Sequence, residues 1–534
     1  MLGWEFPPVI NGGLGVACLG LSKGLSKFVD LTVILPKSDP TFIVENVALI
    51  GLNNIDLRQI LKQDKKVNQQ QNISVDNATK GHEEIGPLVE EIVTQPDSAQ
   101  PKYNIKVRDL EQGKDQDPVT EYDTFAITEY VDIQIDPYHH VNKEIYEEST
   151  YIINLATKIG MGSGEEGVTG PENPAQPIVA AREHKSVFAN AAVPSKESFQ
   201  EEHEAIEQEG GAVEPDHLMI ENFLHAFRDG ELYGEDVIQK VILYSKYVLK
   251  IAAKKDFDII YAHDWMTFLA GIEVKAKTGK PLALHVHALD YDRGGPDSKG
   301  WIFELEKFAM ENADLIMPVS NYTASVVTGH YGIDPKKVFA VHNGADPVDV
   351  FSEEKGFPEK LVLFLGRVTG QKGPEFFLEV ASKVFENYPK VRFVVAGTGD
   401  KLKRLIETGS YREIGHKFHF TGFLNKEKVH KLLAMTDVYC MPSVSEPFGL
   451  TALEAAQFGV PMVISKQSGV SEVLGGALSA DYWDVNLMAE HIISLLKSKR
   501  LSSKVVKQSN EDLKNLTWDI AAEKIYNNFL KVLS

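Results

Sequence analysis

The sequence is poor in cysteine. Two occur in 534 residues, Cys18 and Cys440, both in apolar settings and without C-x-x-C spacing. That excludes a disulfide framework and a thiolate zinc site, and it suits a reducing compartment. Positive charge is also scarce: 55 Lys and Arg against 76 Asp and Glu leave a net charge of −21. A broad surface for nucleic acid or anionic membrane is therefore excluded. No uncharged apolar run reaches the roughly 18 residues of a membrane span, and no basic-then-apolar leader opens the chain. A soluble cytoplasmic protein is expected. G-x-G-x-x-G and G-x-x-x-x-G-K-[ST] are both missing, so neither an NAD fingerprint nor a P-loop is present. His139, His140 and His203 lack partners at ligand spacing, and no metal is expected.

What is present is a repeated strand–helix alternation in a chain long enough for two to four domains. The opening Met1-Leu2-Gly3-Trp4-Glu5-Phe6-Pro7-Pro8 starts almost inside a strand. Asn11-Gly12-Gly13-Leu14-Gly15 then opens a helix to about residue 28, and 31–35 is a second buried strand. This is the start of a doubly wound α/β domain, with Gly12, Gly13 and Leu14 in a turn suited to a phosphate or sugar. Periodicity then fades. Residues 61–120 are rich in Gln, Lys, Asn and Asp, and 125–135 reads as one or two strands. Residues 195–236 hold thirteen Asp and Glu against two Lys and Arg. These stretches are read as insertions, over about 40–120 and 140–235, into a first domain of residues 1–345.

Regularity returns at 236. Strands are predicted at 259–262, 282–287, 314–319 and 338–341, and a helix at 322–331. A second doubly wound domain spans 346–515, with strands at 361–365, 391–396, 418–421, 438–441 and 462–464. Its helices are predicted near 373–387, 400–408, 425–435, 449–459 and 484–498. A last helix, 516–534, carries an apolar stripe from Trp518 to Val532, with Thr517 as candidate N-cap.

Polar residues at the carboxyl ends of parallel strands are where such sheets bind ligands. Gly366-Arg367-Val368-Thr369-Gly370-Gln371-Lys372-Gly373 follows the first strand of the second domain. Arg367 and Lys372 can face one anion across that glycine turn and meet the growing charge of a diphosphate leaving group. Glu446-Pro447-Phe448-Gly449-Leu450-Thr451 leads from an apolar strand into a helix that carries Glu454. Free N–H groups and the helix dipole make that turn an anion site. Glu446 and Glu454 are separated by roughly 12 Å at helical rise, about the reach of a sugar–diphosphate–ribose unit. His263-Asp264 ends one strand as an orienting pair or a simple cap. His285 and His287 are expected to face opposite sides of the next strand, one toward the cleft and one toward the core.

Together these motifs resemble the retaining nucleotide-sugar glycosyltransferases of GT-B architecture, two Rossmann-like domains facing a cleft. The resemblance rests on Gly12-Gly13-Leu14-Gly15, His263-Asp264-Trp265, His287-Ala288-Leu289, Gly366-Arg367 with Lys372-Gly373, and the stretch from Glu446 to Glu454. Trp4-Glu5-Phe6-Pro7-Pro8 with the glycine loop is most similar to the glycogen and starch synthases; His287-Ala288-Leu289 is also similar to the sucrose synthase pattern. The resemblance covers 1–35 and about 236–534. It implies that Arg367 and Lys372 clamp the diphosphate, and that Glu446 meets sugar hydroxyls near the reacting carbon. Backbone around Phe448, Gly449 and Leu450 assists, Thr451 and Asp264 belong to the donor site, and Glu454 holds the ribose. His287 bonds the transferred sugar, Gly13 approaches the phosphate, and the last helix crosses back to the first domain. The implied donor is ADP-glucose or UDP-glucose, the implied acceptor a glucan or other carbohydrate, and no cofactor is implied. One departure stands out: the bacterial synthases carry a Lys-Thr-Gly-Gly-like loop where this chain has Ile10-Asn11-Gly12-Gly13. Other readings are a transferase making sucrose, trehalose or another glycoside, a GT-B nucleotide-sugar epimerase, and a non-catalytic glucan-binding protein.

Overall fold

The computed structural model describes residues 1–10, 12–55, 225–229, 231–234 and 236–534. All of these belong to one compact unit built from Met1–Ile55 and Gln134–Ser534. Most of both insertions, the strands expected over 125–135, Asn11, His139, His140 and His203 lie outside the described residues.

The amino-terminal half contains β1 (Leu31–Leu35), β2 (Val47–Gly51), β3 (Ile260–His263), β4 (Leu282–Val286) and β5 (Leu315–Pro318). β1 pairs with β2, and β3, β4 and β5 pair in that order, all in parallel. Leu2 joins the two groups, bridging Ile34 on one side and Ala262 on the other. The expected first strand is thus a narrow bridge in mid-sheet, its N–H donating to the Tyr261 carbonyl at 2.7 Å. The strand expected at 338–341 is reduced similarly, to a Val338–Ile316 bridge beside β5. Buried runs such as Leu282-Ala283-Leu284 suit parallel strands covered on both faces.

The carboxyl-terminal half contains β6 (Lys360–Leu365), β7 (Val391–Ala396), β8 (Phe418–Gly422), β9 (Val438–Met441), β10 (Met462–Ser465) and β11 (Leu478–Ala480). They form one sheet in the order β11-β10-β9-β6-β7-β8. In chain order this runs outward from β6 to one edge, then from β9 to the other, a doubly wound sheet whose order reverses between β6 and β9. Alternate residues feed opposite faces: Val362 and Phe364 join one buried cluster, Leu361 and Leu363 the other.

The last helix, Trp518–Leu533, is capped by the Thr517 hydroxyl, which accepts the Ile520 N–H at 3.3 Å. Its stripe of Trp518, Ala522, Ile525 and Phe529 packs with Ala17, Leu21 and Leu25 of the Gly13–Leu25 helix. Among the described residues no helix is long and apolar enough to cross a membrane.

Candidate functional site

The loops after β6 and β9 flank the point where the strand order reverses. The loop after β6 carries Arg367 and Lys372, and the helix Pro374–Asn387 starts directly after Gly373. Gly373 has φ +67°, and a Cβ there would stand 2.1 Å from the Pro442 carbonyl oxygen. Only glycine lets the two loops press together this closely. The Val444 N–H donates to the Gln371 carbonyl at 2.9 Å and fastens them. After β9 the chain turns at Gly449, φ +107°, into the helix Leu450–Gln457.

Across that seam the Lys372 ammonium donates to Glu446 Oε2 at 2.5 Å. Ser443 Oγ supports the same oxygen at 3.3 Å. The Glu446 side chain is 8% exposed, so this is a held carboxylate rather than a solvated one. The Arg367 side chain makes no ion pair or hydrogen bond among the described residues, and Arg367 is exposed. Phe448 is buried in the core, which leaves only its backbone for a ligand. Leu450 is half-buried and packs on the same cluster. The Thr451 hydroxyl is tied to the buried Tyr439 hydroxyl at 2.8 Å. Glu454 is half-buried; burial raises its carboxyl above the usual range, with Lys426 opposing. The expected grouping of Arg367, Lys372, Glu446, Phe448, Gly449, Leu450, Thr451 and Glu454 therefore follows the carboxyl ends of the two central strands of one sheet, β6 and β9.

The amino-terminal half brings its own residues to the carboxyl ends of β3 and β4. Asp264, at φ +59°, is buried, and its Oδ1 accepts the N–H groups of His287 at 2.7 Å and Ala288 at 3.3 Å. It is an orienting carboxylate for the His287 loop. Contrary to the expectation of opposite faces, the rings of His285 and His287 stack at 4.4 Å and 19°. The reason is the two-residue period of a strand, which sends i and i+2 to the same side. His263 Nδ1 and His287 Nε2 share a hydrogen bond at 2.9 Å, leaving Nδ1 of His287 for any partner in the cleft. Ligand atoms of His263, His285 and His287 lie within 4.8 Å of one another. Three of their ring nitrogens are already engaged, His263 Nδ1 with His287 Nε2 and His285 Nδ1 with the Tyr261 hydroxyl. Burial holds all three below the ordinary histidine range, His287 at about 3, so they are neutral at pH 7.

Glu5 was not singled out by its sequence, although it stands just before the Pro-Pro pair and the glycine turn. Its Oε2 accepts the Gly15 N–H at 3.3 Å, and Oε1 accepts the Tyr233 hydroxyl. A Cβ at Gly12 would stand 2.6 Å from that Oε2. Gly12 is thus small for the sake of Glu5, whereas Gly13 is exposed and faces open space. Leu14 is half-buried and packs beside β1. Burial raises the Glu5 carboxyl; Tyr233, Gly15 and the charge of Arg367 oppose it, so Arg367 stands near enough to the glycine turn for its charge to be felt there.

Further polar contacts join the halves. Ser445 Oγ donates to the buried Asp292 at 2.5 Å and bonds the Tyr322 hydroxyl at 3.0 Å. Glu472 accepts the Asn321 and Tyr322 N–H groups, at 2.9 and 2.6 Å, and pairs with His342 at 2.8 Å.

Asp264 sets a pH test. Burial, against the two N–H donors, lifts its carboxyl from 3.8 to about 7. A carboxyl raised on folding gives stability that is complete below the unfolded value and is lost as pH climbs through the folded one. The window is therefore pH 4 to 7. Asp264→Asn keeps an acceptor for His287 and nearly the same side-chain shape at this positive-φ position. It is expected to flatten the decline in thermal stability across that window. An unchanged pH profile would show that Asp264 is not its source.

The descriptions "Glycosyl transferases group 1" and "Glycosyltransferase Family 4" belong to two family models that match residues 348–512 and 198–349. Over 243 residues the chain is 32% identical to an uncharacterized glycosyltransferase of Methanocaldococcus jannaschii, covering 42% of this chain and 62% of that one. Over 229 residues it is 25% identical to a glycogen synthase of Mycobacterium tuberculosis strain H37Rv, covering 41% and 54%. The chain thus spans less than two thirds of the length of either relative. The structure of a sucrose-phosphate synthase from Thermosynechococcus elongatus superposes with a TM-score of 0.50 at 18% identity, over 57% of this chain and 82% of that one.

Proposed function

We propose that this chain, which glycosyltransferase family models match over 198–349 and 348–512, transfers glucose, with retention, from ADP-glucose or UDP-glucose to a glucan or other carbohydrate. The observation that carries this reading is the Lys372–Glu446 contact at the reversal of the strand order, with Arg367 on the same loop. A diphosphate leaving group gains negative charge as its bond to the sugar carbon breaks. Two cations beside a helix N-terminus stabilise that charge where it develops. In the proposed step the C1–O bond to the diphosphate breaks and the acceptor oxygen bonds C1 from the same face. The acceptor proton passes to the departing phosphate oxygen, and the nucleoside diphosphate leaves. Glu446 holds sugar hydroxyls, Glu454 the ribose, and His287, steadied by His263 and Asp264, meets the sugar from the other half.

The reading is tested by following nucleoside diphosphate release from UDP-glucose and ADP-glucose, with and without glycogen. Acceptor-dependent release from one donor is expected. No release from either donor with any carbohydrate acceptor would favour a binding protein. Glu454→Ala is expected to raise the donor KM about tenfold with little change in kcat, because a ribose contact is equal in ground and transition states. A fall in kcat alone would move Glu454 away from the ribose.

A further inference from the structure

The loop after β11 carries two aromatic residues that no role above uses. Trp483 is 59% exposed, whereas Trp4, Trp265, Trp301 and Trp518 are all at most 6% exposed. Tyr482 stands edge-on to Trp483, with ring centroids 4.8 Å apart and 84° between planes. Tyr482 also meets Phe376 at 4.9 Å, in the first turn of the helix that follows Lys372-Gly373. The backbone beneath is fixed as well. The Tyr482 N–H donates to Gln467 Oε1 at 3.3 Å, and Gln467 Nε2 donates to Asp481 at 2.9 Å. The Gln467 carbonyl in turn accepts the Glu446 N–H at 2.9 Å. Hydrogen bonds through one residue therefore connect this ledge to Glu446. From the amino-terminal half Tyr322 reaches the same neighbourhood: its hydroxyl bonds Ser445, and Tyr482 is among the groups that, after burial, raise it.

Single exposed apolar residues are ordinary. A paired, anchored ledge at the carboxyl edge of a doubly wound sheet is not, since that edge is where such sheets take ligands. The sheet order decides which ligand. β8 and β11 are opposite edges. The helix after β8, Lys426–Met435, lies against the end of the helix that carries Glu454, with His430 on Phe458 at 5.1 Å, and Lys426 opposes the rise of the Glu454 carboxyl, so the nucleoside end of a donor runs toward β8. The β11 side is left to the acceptor. A pyranose has one face of C–H groups, which stacks on an indole, and a rim of hydroxyls, which suits Asp481 and Gln467 below the ledge.

We propose that Tyr482 and Trp483 form an acceptor subsite that stacks a pyranose ring of a linear oligosaccharide, so that the acceptor is an extended sugar chain rather than a small alcohol. This rests on the transferase reading above, and the test separates the two. Acrylamide quenching of tryptophan emission reports chiefly on Trp483, the exposed indole. Maltoheptaose is expected to protect it saturably, with or without donor. Trp483→Ala is expected to raise the maltoheptaose KM about tenfold, the usual scale of one aromatic contact, with the donor KM unchanged. Trp483→Phe is expected to restore most of that loss. No protection, together with an unchanged acceptor KM in an active enzyme, overturns the subsite and leaves the transferase reading standing. A raised donor KM in place of the acceptor KM overturns it in favour of nucleobase stacking. Shielding that depends on protein concentration overturns it in favour of a second copy of the chain. If no donor supports transfer, the transferase reading falls and the quenching titration alone decides whether the ledge binds sugar.

Discussion

Lys372→Ala is expected to lower turnover by about 10²–10³-fold, the usual effect of removing one preorganised donor from a developing charge. Two losses are combined in this substitution. The ammonium proposed to meet the diphosphate is gone, and among the described residues the Glu446 carboxylate keeps only the Ser443 hydroxyl at 3.3 Å. A buried carboxylate stripped of its charged partner also costs stability. Arg367→Ala separates the two effects. Arg367 is exposed and makes no ion pair among the described residues, so its removal is expected to slow turnover similarly while thermal unfolding stays in place. Measuring kcat and the unfolding midpoint for both variants checks the assignment. Turnover near that of the unaltered protein in both would remove the pair from the chemistry. A loss confined to Lys372→Ala and matched by unfolding would make the contact with Glu446 structural.

The residues of this pair were readable from sequence because each follows a buried apolar strand and sits beside a glycine. β6, β7 and β9 are runs buried on both faces, and such runs show in the sequence without help from their surroundings. β11 was missed because Leu478-Ser479-Ala480 is too short to show a period. The helix Lys499–Leu513 was missed because it buries only Val505 and Ser509. The contacts that close the site were beyond sequence reasoning for another reason. Ser445 meets Tyr322 across 123 residues and Asp292 across 153, and no local pattern encodes such a pairing. Glu5 had one usable signal, a lone carboxylate ahead of a glycine turn, but only the fold shows the Gly12 site closed against its oxygen. The error over His285 and His287 was one of geometry, since residues two apart on a strand share a face.

The second large effect concerns the joint that the last helix makes. The Trp518 ring lies so close to the Gly13–Leu25 helix that a Cβ at Gly20 would stand 2.3 Å from its Cδ2 and Cε2 atoms. Gly24 meets Ala522 in the same way, at 2.7 Å for the added Cβ. Glycine spacing on one helix is therefore matched to an indole on another, hundreds of residues later. Trp518→Ala is expected to destabilise by about 3–5 kcal/mol, because it leaves a cavity that the surrounding side chains cannot close. Gly20→Ala is expected to cost about 1–3 kcal/mol by overpacking. The two changes should not add: the methyl introduced at 20 enters space that the indole has left. The double variant is expected to be more stable than the sum of the singles by about 1 kcal/mol or more, read from displacement of the urea midpoint. Activity should fall with Trp518→Ala even where the chain remains folded. The segment that connects the halves runs along the start of this helix, with the Ala345 N–H donating to the Leu516 carbonyl at 3.0 Å. A Cβ at Gly344 would stand 2.3 Å from the Thr517 backbone. A helix that slides at Trp518 therefore shifts the connection between Arg367 and Lys372 on one side and His287 on the other. Strict additivity of the two substitutions would mean that the indole and the glycine do not share a joint.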